Sequence, residues 1–432
     1  MKPIKVEIEQ LGAIRDSEFM ITPVMFFLGE SGLGKSYLAI LSHYFFDVLV
    51  NRERLSRFFE ERPNSKFSEL RQNHFSKRDR GIALSFSTKE FSDWLTNDLI
   101  AYMKHMLNHD SLSPSLTITL PFTSDDFEIT YTSEIEGLKD KEEIVYILEL
   151  GDLSYRVSGM DVIGNESPFS ILMRHFLMDQ IFGNYMALED CVVLPPSRGA
   201  YFTEELRGKS GLFQKFIWKM AKLRLTPEFP SEQPKDLVEL FERIIRGKII
   251  PKEDGYYYLN HGEELPLSAA ASSVRELSPL SLIINRLDVA KTALLFEEPE
   301  AHLHPAMQRT MADLLALLIS EGMYMQITTH SDHLIRRFNE LIDLGILNKR
   351  LNSEKEYKTF LRENKIEEVC FIDQSHHKNI SVYLLERRKD GTSRISRKEL
   401  TNGISLGSFT ETVKESLRTG TILQEKLDES DE

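Results

Sequence analysis

The sequence predicts an α/β fold with a mixed β-sheet core and inserted helical segments. Three observations lead there. Val24-Met25-Phe26-Phe27-Leu28 is continuously apolar, as a buried strand should be, and runs straight into a glycine-rich turn and a helix-like stretch from Tyr37 to Val50. Thr292-Ala293-Leu294-Leu295-Phe296 is a second buried strand, ending in acids and followed by a helix from Ala306 to Glu321. Met323 to Thr328 is a third, ending at Thr329-His330-Ser331. Buried strands alternating with helices define the α/β class.

The remaining elements follow in chain order. Ile4, Val6 and Ile8 alternate with charged residues, which is strand character, and Gly12 and Asp16 mark a turn region. We read residues 1–50 as the N-terminal part of a head. Residues 51–187 read as core strands plus an insertion. Charged helical segments (Arg52 to Arg62, Ser65 to Arg80) precede strand-like runs at Leu116–Leu120, Phe127–Tyr131 and Ile144–Leu148, then a helix from Phe169 to Met186. Residues 188–262 begin with a short strand, Cys191–Leu194, which ends at Pro195-Pro196-Ser197-Arg198. They continue as a helical insertion or arm, in which Leu237, Leu240, Phe241, Ile244 and Ile245 sit at helical spacing. Residues 263–420 complete the head, with further strands at Glu368–Asp373 and Ile380–Glu386. Residues 421–432 are an acidic tail expected to be solvated and disordered.

Composition narrows the function classes. The 432 residues are 41% apolar and 28% charged, ordinary for a soluble protein with a sizeable core. No apolar run reaches the roughly 18 residues of a membrane span, and the N-terminus lacks the apolar stretch of a signal peptide. The two cysteines, Cys191 and Cys370, suggest neither a disulfide framework nor a zinc site, so the cytoplasm is the expected compartment. A net charge of -14 argues against a surface coated for nucleic acid, while leaving room for a local basic groove.

Gly29-Glu30-Ser31-Gly32-Leu33-Gly34-Lys35-Ser36 fits the phosphate-loop pattern in full, with an apolar strand before it and a helix after it. The glycines let backbone N–H groups point at the phosphates, and the following helix adds its positive end. Lys35 would neutralise the β- and γ-phosphates of ATP, and Ser36 would ligate Mg2+. A chance glycine-rich turn is the bland alternative, and the strand and helix context disfavours it. Glu297-Glu298-Pro299-Glu300 follows a buried strand. Glu297 is placed to hold the magnesium shell, and Glu298 to orient or deprotonate the attacking water. An acidic loop is common at such a strand end, but a phosphate loop in the same chain favours the catalytic reading. His302 and His304, with Glu300 assisting, form an H-x-H candidate for a metal, set against packing at a subunit contact. His330 can donate to a γ-phosphate or hold the attacking water; alone, it reads more simply as a capping histidine beside Ser331 and Asp332. Ser272 and Ser273 enter a helix. Ser273 with Glu276 has capping-box spacing, and Ser278-Pro279 is the competing helix start.

Together these motifs resemble the ABC-type ATPases of the P-loop NTPase class, and within them the OLD-like group of AAA ATPases. That group includes ATPase subunits of bacterial anti-phage systems such as Septu, retron-associated and RloA-like proteins. The resemblance covers the start of the chain and about residues 191–385. It implies Walker A at Gly29–Ser36, the Walker B acid at Glu297, the catalytic base at Glu298, the D-loop at Ala301–His304 and the switch histidine at His330. Ser272 and Ser273 match the signature serines that contact the γ-phosphate bound by a second copy, so two heads would sandwich two ATP molecules. Pro195-Pro196-Ser197-Arg198 resembles a recurring P-x-x-R stretch of the group. Val274 departs from the pattern, standing where a signature glycine is usual, and a Cβ there restricts close approach to phosphate. The larger OLD proteins carry a TOPRIM nuclease, which needs a D-x-D pair. No D-x-D follows His330, so an effector would act in trans.

The function expected from this is a regulatory ATPase that dimerises around ATP and controls a separate effector, a nuclease in the favoured reading. The alternative is a DNA-repair or SMC-like ATPase contacting DNA itself, through the basic stretches Arg71–Arg80 and Arg387–Lys398. A third reading is a nucleotide-gated scaffold that Val274 keeps open. Nothing marks a coupling surface for a membrane partner.

Overall fold

Four strand ends meet at one edge of a large sheet, and that convergence organises the molecule. The structure, a computed structural model, describes residues 1–61, 82–136, 143–158, 168–202, 210–226, 235–252, 255–351, 353–366, 370–400, 403–404, 414–415 and 417–423. In chain order the elements are β1 (Ile4–Leu11), β2 (Ile14–Ile21), β3 (Val24–Gly29), α1 (Lys35–Val50), α2 (Arg52–Glu60), β4 (Ile82–Ser87), α3 (Thr88–Leu107), β5 (Ser115–Thr119), β6 (Asp126–Glu136), β7 (Glu143–Leu150), β8 (Leu153–Ser158), α4 (Pro168–Phe182) and β9 (Asp190–Leu194). Then come α5 (Gly211–Leu225), α6 (Lys235–Ile245), β10 (Lys248–Lys252), β11 (Gly255–Asn260), β12 (Glu263–Pro266), α7 (Ser272–Arg286), β13 (Thr292–Glu297), α8 (Pro305–Ser320), β14 (Tyr324–Thr329), α9 (Asp332–Arg350), α10 (Glu354–Glu363), α11 (Gln374–His377), β15 (Ile380–Arg387) and β16 (Ser393–Lys398).

Nine described strands form the main sheet, in the order β5-β1-β2-β16-β15-β3-β14-β13-β9. The half from β15 to β9 is parallel, and β5, β1 and β2 are antiparallel neighbours at the other end. The expected α/β class with a mixed sheet is therefore the fold observed. Composition explains the split. β3 and β13 are buried at every position, as parallel strands covered on both faces must be. β1 alternates buried with part-exposed residues, as a half-covered antiparallel strand does. Parallel strands start and end together, so Gly29, Glu297, Thr329 and Leu194 all finish at the same edge. In open α/β sheets that carboxyl edge is where ligands bind.

The strand-like runs of residues 116–148 divide between two sheets. β5 joins the main sheet, whereas β6 and β7 belong to a separate antiparallel sheet ordered β4-β6-β7-β8. The stretch expected to be a helical arm holds α5 and α6 and then a three-stranded meander, β10-β11-β12. Gly255, Tyr256, Tyr257 and Tyr258 supply its aromatic middle strand, a signal the helical reading passed over. Residues 370–373 are not in a strand, unlike the expectation for Glu368–Asp373, whose residues 368 and 369 lie outside the described ones. Also outside them are the whole Ser65–Arg80 segment, with its basic stretch Arg71–Arg80, and the tail from 424 onward. The longest described helix is α3, with 20 residues. No described helix is long and apolar enough to cross a membrane.

Candidate nucleotide site

β3 delivers the chain into Gly29–Ser36 at the carboxyl edge. Gly29 has φ +131°, and a Cβ there would lie 2.6 Å from the Leu385 carbonyl oxygen, so only glycine fits beside β15. Gly34 caps α1 at φ 103°, and its missing Cβ leaves room for Ile14. The Leu33 carbonyl accepts the Ser393 hydroxyl at 2.8 Å, which ties the loop to β16. Glu30 faces Arg387 at 3.7 Å, both well exposed. Ser31 and Gly32 form the open crest of the turn.

Lys35 is buried, and its ammonium donates to the Gly29 and Glu30 carbonyls at 2.9 and 2.7 Å. Burial lowers its pKa to about 8, against the pull of Glu298, Glu300, Glu297 and Glu30. The Ser36 hydroxyl donates to Glu297 Oε2 at 2.7 Å, bringing together residues from opposite halves of the sequence. The other carboxylate oxygen, Glu297 Oε1, is buried with no hydrogen-bond partner. An orphaned carboxylate oxygen beside a hydroxyl is an oxygen donor set suited to a hard cation, and Mg2+ takes one or two such ligands plus phosphate and water. These residues therefore fit the magnesium that the phosphate loop implies.

The adjacent glutamates sit in opposite environments. Burial raises the Glu297 pKa, against the Ser36 hydrogen bond. The His330 imidazole, with Nε2 3.5 Å from Glu298 Oε1, lowers that of the half-exposed Glu298. Pairs pushed apart in this way divide into different roles. Glu298 also has φ +46°, a left-handed conformation that costs a non-glycine residue about 1–3 kcal/mol and persists only when its surroundings enforce it. Its N–H donates to the Thr328 carbonyl at 3.0 Å and lies 3.3 Å from the Thr328 hydroxyl.

Sequence reasoning missed the work of Glu300. Its Oε1 accepts the Thr329 hydroxyl and the His330 N–H, each at 2.7 Å, so it fixes the end of β14 and with it His330. The spacing E-E-P-E held that signal. Glu300 thus bonds the end of β14 rather than assisting the H-x-H alternative at His302 and His304. His302 and His304 are exposed, His304 Nδ1 caps α8 by accepting the Ala306 N–H at 3.3 Å, and among the described residues no group of three or more His, Cys, Asp or Glu is arranged to hold a metal ion.

The serines open α7 as residues 272 and 273, but neither capping arrangement is present. Ala271 is the N-cap without a side-chain bond, Pro279 lies inside the helix, and the Ser278 hydroxyl donates to the Val274 carbonyl at 2.6 Å. Val274 is buried, with its side chain turned into the core. Among the described residues, no hydrogen bond joins Ser272 or Ser273 to the phosphate loop. One chain brings together Gly29–Ser36, Glu297, Glu298 and His330, and leaves the serines apart.

Arg198 also belongs to this edge. It is fully buried, and β9 carries it to the same side as Glu297. Its guanidinium donates to the carbonyls of Glu276 (2.8 Å), Glu297 (2.9 Å) and Pro195 (3.1 Å), and lies over the Phe296 ring at 4.8 Å.

Comparisons with known proteins add one family match over part of the chain. Residues 204–335 match the family described as "AAA ATPase domain", a range that holds Ser272, Ser273, Glu297, Glu298 and His330 and leaves the phosphate loop outside. No curated protein matches the sequence. Among solved structures, an Smc head bound to the C-winged helix domain of ScpA is 12% identical, covering 92% of this chain and 97% of that one at a TM-score of 0.36. An SMC head domain from Thermotoga maritima is 10% identical, covering 92% and 100% at a TM-score of 0.33. An Smc head with an extended coiled coil, bound to the C-terminal domain of ScpA derived from Pyrococcus furiosus, is 12% identical, covering 96% and 99% at a TM-score of 0.36. The chain thus has a mixed α/β fold with a phosphate loop at the sheet edge, and its segment 204–335 is similar to an AAA ATPase domain.

Proposed function

We propose that this chain binds ATP with Mg2+, hydrolyses it, dimerises around it and uses that cycle to control a separate effector. The observation that carries the ATP chemistry is the 2.7 Å contact between Ser36 and Glu297, with Glu298 and His330 beside it. Bound Mg2+ would supply positive charge against the charge that develops on the phosphates. Ser36 and Glu297 would hold it. Lys35 would exchange the loop carbonyls for phosphate oxygens. Glu298, kept ionised by His330, would take the proton of the attacking water, and His330 would face the γ-phosphate.

Phosphate release by the purified protein tests this. Lys35→Ala should lose ATP binding. Glu298→Gln should bind ATP and turn it over at least about 100-fold more slowly, the scale of a general-base contribution. Wild-type turnover in either variant would sink the assignment.

The finer role rests on the resemblance to the ATPases of anti-phage systems: a regulatory subunit whose effector, a nuclease, is a separate protein. Cells carrying the chain with its neighbouring genes should resist phage, and Lys35→Ala should abolish that resistance. Equal plaque counts would remove the defence role and leave the ATPase reading standing. One observation supports a DNA-contacting alternative: the β15–β16 hairpin exposes Arg387, Lys389, Arg394 and Arg397 near the phosphate loop. Arg387 and Arg394 face Glu30 and Glu386, which reduces the charge on offer. DNA affinity of the protein alone, falling steeply with salt, would favour that reading.

A further inference from the structure

The geometry points to Arg198 as a positioning residue that locks the Glu297–Glu298 backbone to the start of α7, so that displacement of the serine-bearing helix is felt at the catalytic base. The inference deepens the ATPase reading and rests on it. Arg198 is fully buried and belongs to the Pro195-Pro196-Ser197-Arg198 stretch, which the ATP chemistry itself leaves unused.

Its guanidinium is a planar fork with five donors, able to hold several acceptors in fixed relation. Here the acceptors are backbone carbonyls from three segments. Nε donates to Glu276 at 2.8 Å, four residues into α7, and the Glu276 carboxylate lies 4.0 Å away. Nη1 donates to Glu297 at 2.9 Å and to Pro195 at 3.1 Å, and Nη2 reaches Glu298 at 3.5 Å. The carbonyl of Glu298 follows its left-handed φ, so the fork and Thr328 grip that strained residue from two sides. Strain at a reacting group persists only when its surroundings over-determine it, and Arg198 is one of those restraints, beside the Ala301 N–H that donates to the same carbonyl at 3.1 Å. The other end of the fork holds the helix on which Ser272 and Ser273 stand. A single buried side chain thus joins the helix that carries Ser272 and Ser273 to the backbone of the base.

The next residue offers a second handle on the joint. Gly199 packs directly on α7: a Cβ there would meet the Glu276 N and Oε1 at 3.0 Å and the Arg275 carbonyl carbon at 3.1 Å. Gly199→Ala therefore displaces the start of α7 slightly without altering the side chains of Arg198, Glu297 or Glu298 themselves.

The test compares wild type, Arg198→Lys and Gly199→Ala for kcat, KM and the Kd of Mg-ATP, with Tm as a folding check. A lysine ammonium cannot span three carbonyls, so Arg198→Lys should lower kcat at least about tenfold, the scale expected for a base displaced by a fraction of an ångström. Its Kd should stay within about threefold, since no group touching phosphate has changed. Gly199→Ala should show the same split at smaller amplitude, and it carries the test if Arg198→Lys fails to fold. A folded pair of variants with wild-type kcat overturns the inference, as does a kcat loss matched by an equal loss of affinity. A wild type that binds ATP without turning it over overturns the ATPase reading and this inference with it. A wild type that turns over beside unaffected variants overturns this inference alone.

Discussion

Lys35 shows how one residue's burial sets a measurable property. Burial lowers its pKa to about 8, and phosphate binding requires the charged form. The sign follows: the free protein holds the ammonium below pH 8 and loses it above, while bound phosphate raises the pKa and so favours protonation. ATP affinity should be level below about pH 8 and fall by up to about tenfold per pH unit above it, with proton uptake on binding. Titration calorimetry in two buffers of different ionisation enthalpy would show that uptake; flat affinity from pH 7 to 9.5 would contradict the buried-lysine account. Lys35 and Ser36 were legible in the sequence because a phosphate loop fixes its residues by local spacing, and Glu297 and Glu298 because they follow a continuously apolar strand. Glu300 and Arg198 were not. Each acts by grasping backbone that only the folded sheet brings within reach.

The same limit applies to elements. α1 was readable as the helix after the loop, but its inner face was not. His43 is fully buried, with Nδ1 2.9 Å from Gln326 Oε1 and Nε2 3.2 Å from the Cys191 sulfur. Burial lowers its pKa to about 3, so it is neutral in the fold and charges only on unfolding. A depressed histidine contributes stability above its unfolded pKa of about 6.5 and loses it as pH falls toward 3, at about 1.4 kcal/mol per pH unit. Urea unfolding at pH 7 and pH 5.5 should show that slope, and His43→Gln should flatten it. An unchanged slope in the variant would place the pH dependence elsewhere. One turn on, Asp47 bonds Lys215 of α5 and, at 3.1 Å, Arg54 of α2, while Arg54 reaches Asp98 of α3 at 2.8 Å. Those two cations outweigh the desolvation of Asp47 and hold its carboxyl below its ordinary range. Asp47→Ala should cost about 3–5 kcal/mol, because it strands Lys215 and half the support of Arg54. A Tm near wild type would show the network to be dispensable. Asp47 and Arg54 lie on different helices and the other pairs are distant in sequence, so no helical periodicity could announce them.

At the scale of the whole molecule, the site within one chain has three sides. The phosphate loop, the glutamates and His330 share the carboxyl edge of the sheet, whereas Ser272 and Ser273 open α7 without a side-chain cap and without a bond to that loop. An uncapped helix N-terminus leaves N–H donors for an anion, and a second copy could bring its own loop-bound phosphate to them. Val274 does not stand in the way, since its side chain is buried in its own chain. Its burial removes one steric objection to the two-copy closure proposed above. Closure should be visible when hydrolysis is blocked. Glu298→Gln with Mg-ATP should elute as a dimer in light-scattering chromatography, and as a monomer with ADP. Adding Ser273→Arg places a long cation at the opening of α7, which should return the protein to a monomer while one-copy ATP binding survives. Were the double variant to remain dimeric, the serines would lie outside the contact, and the fourth side of the site would have to come from another surface of the partner.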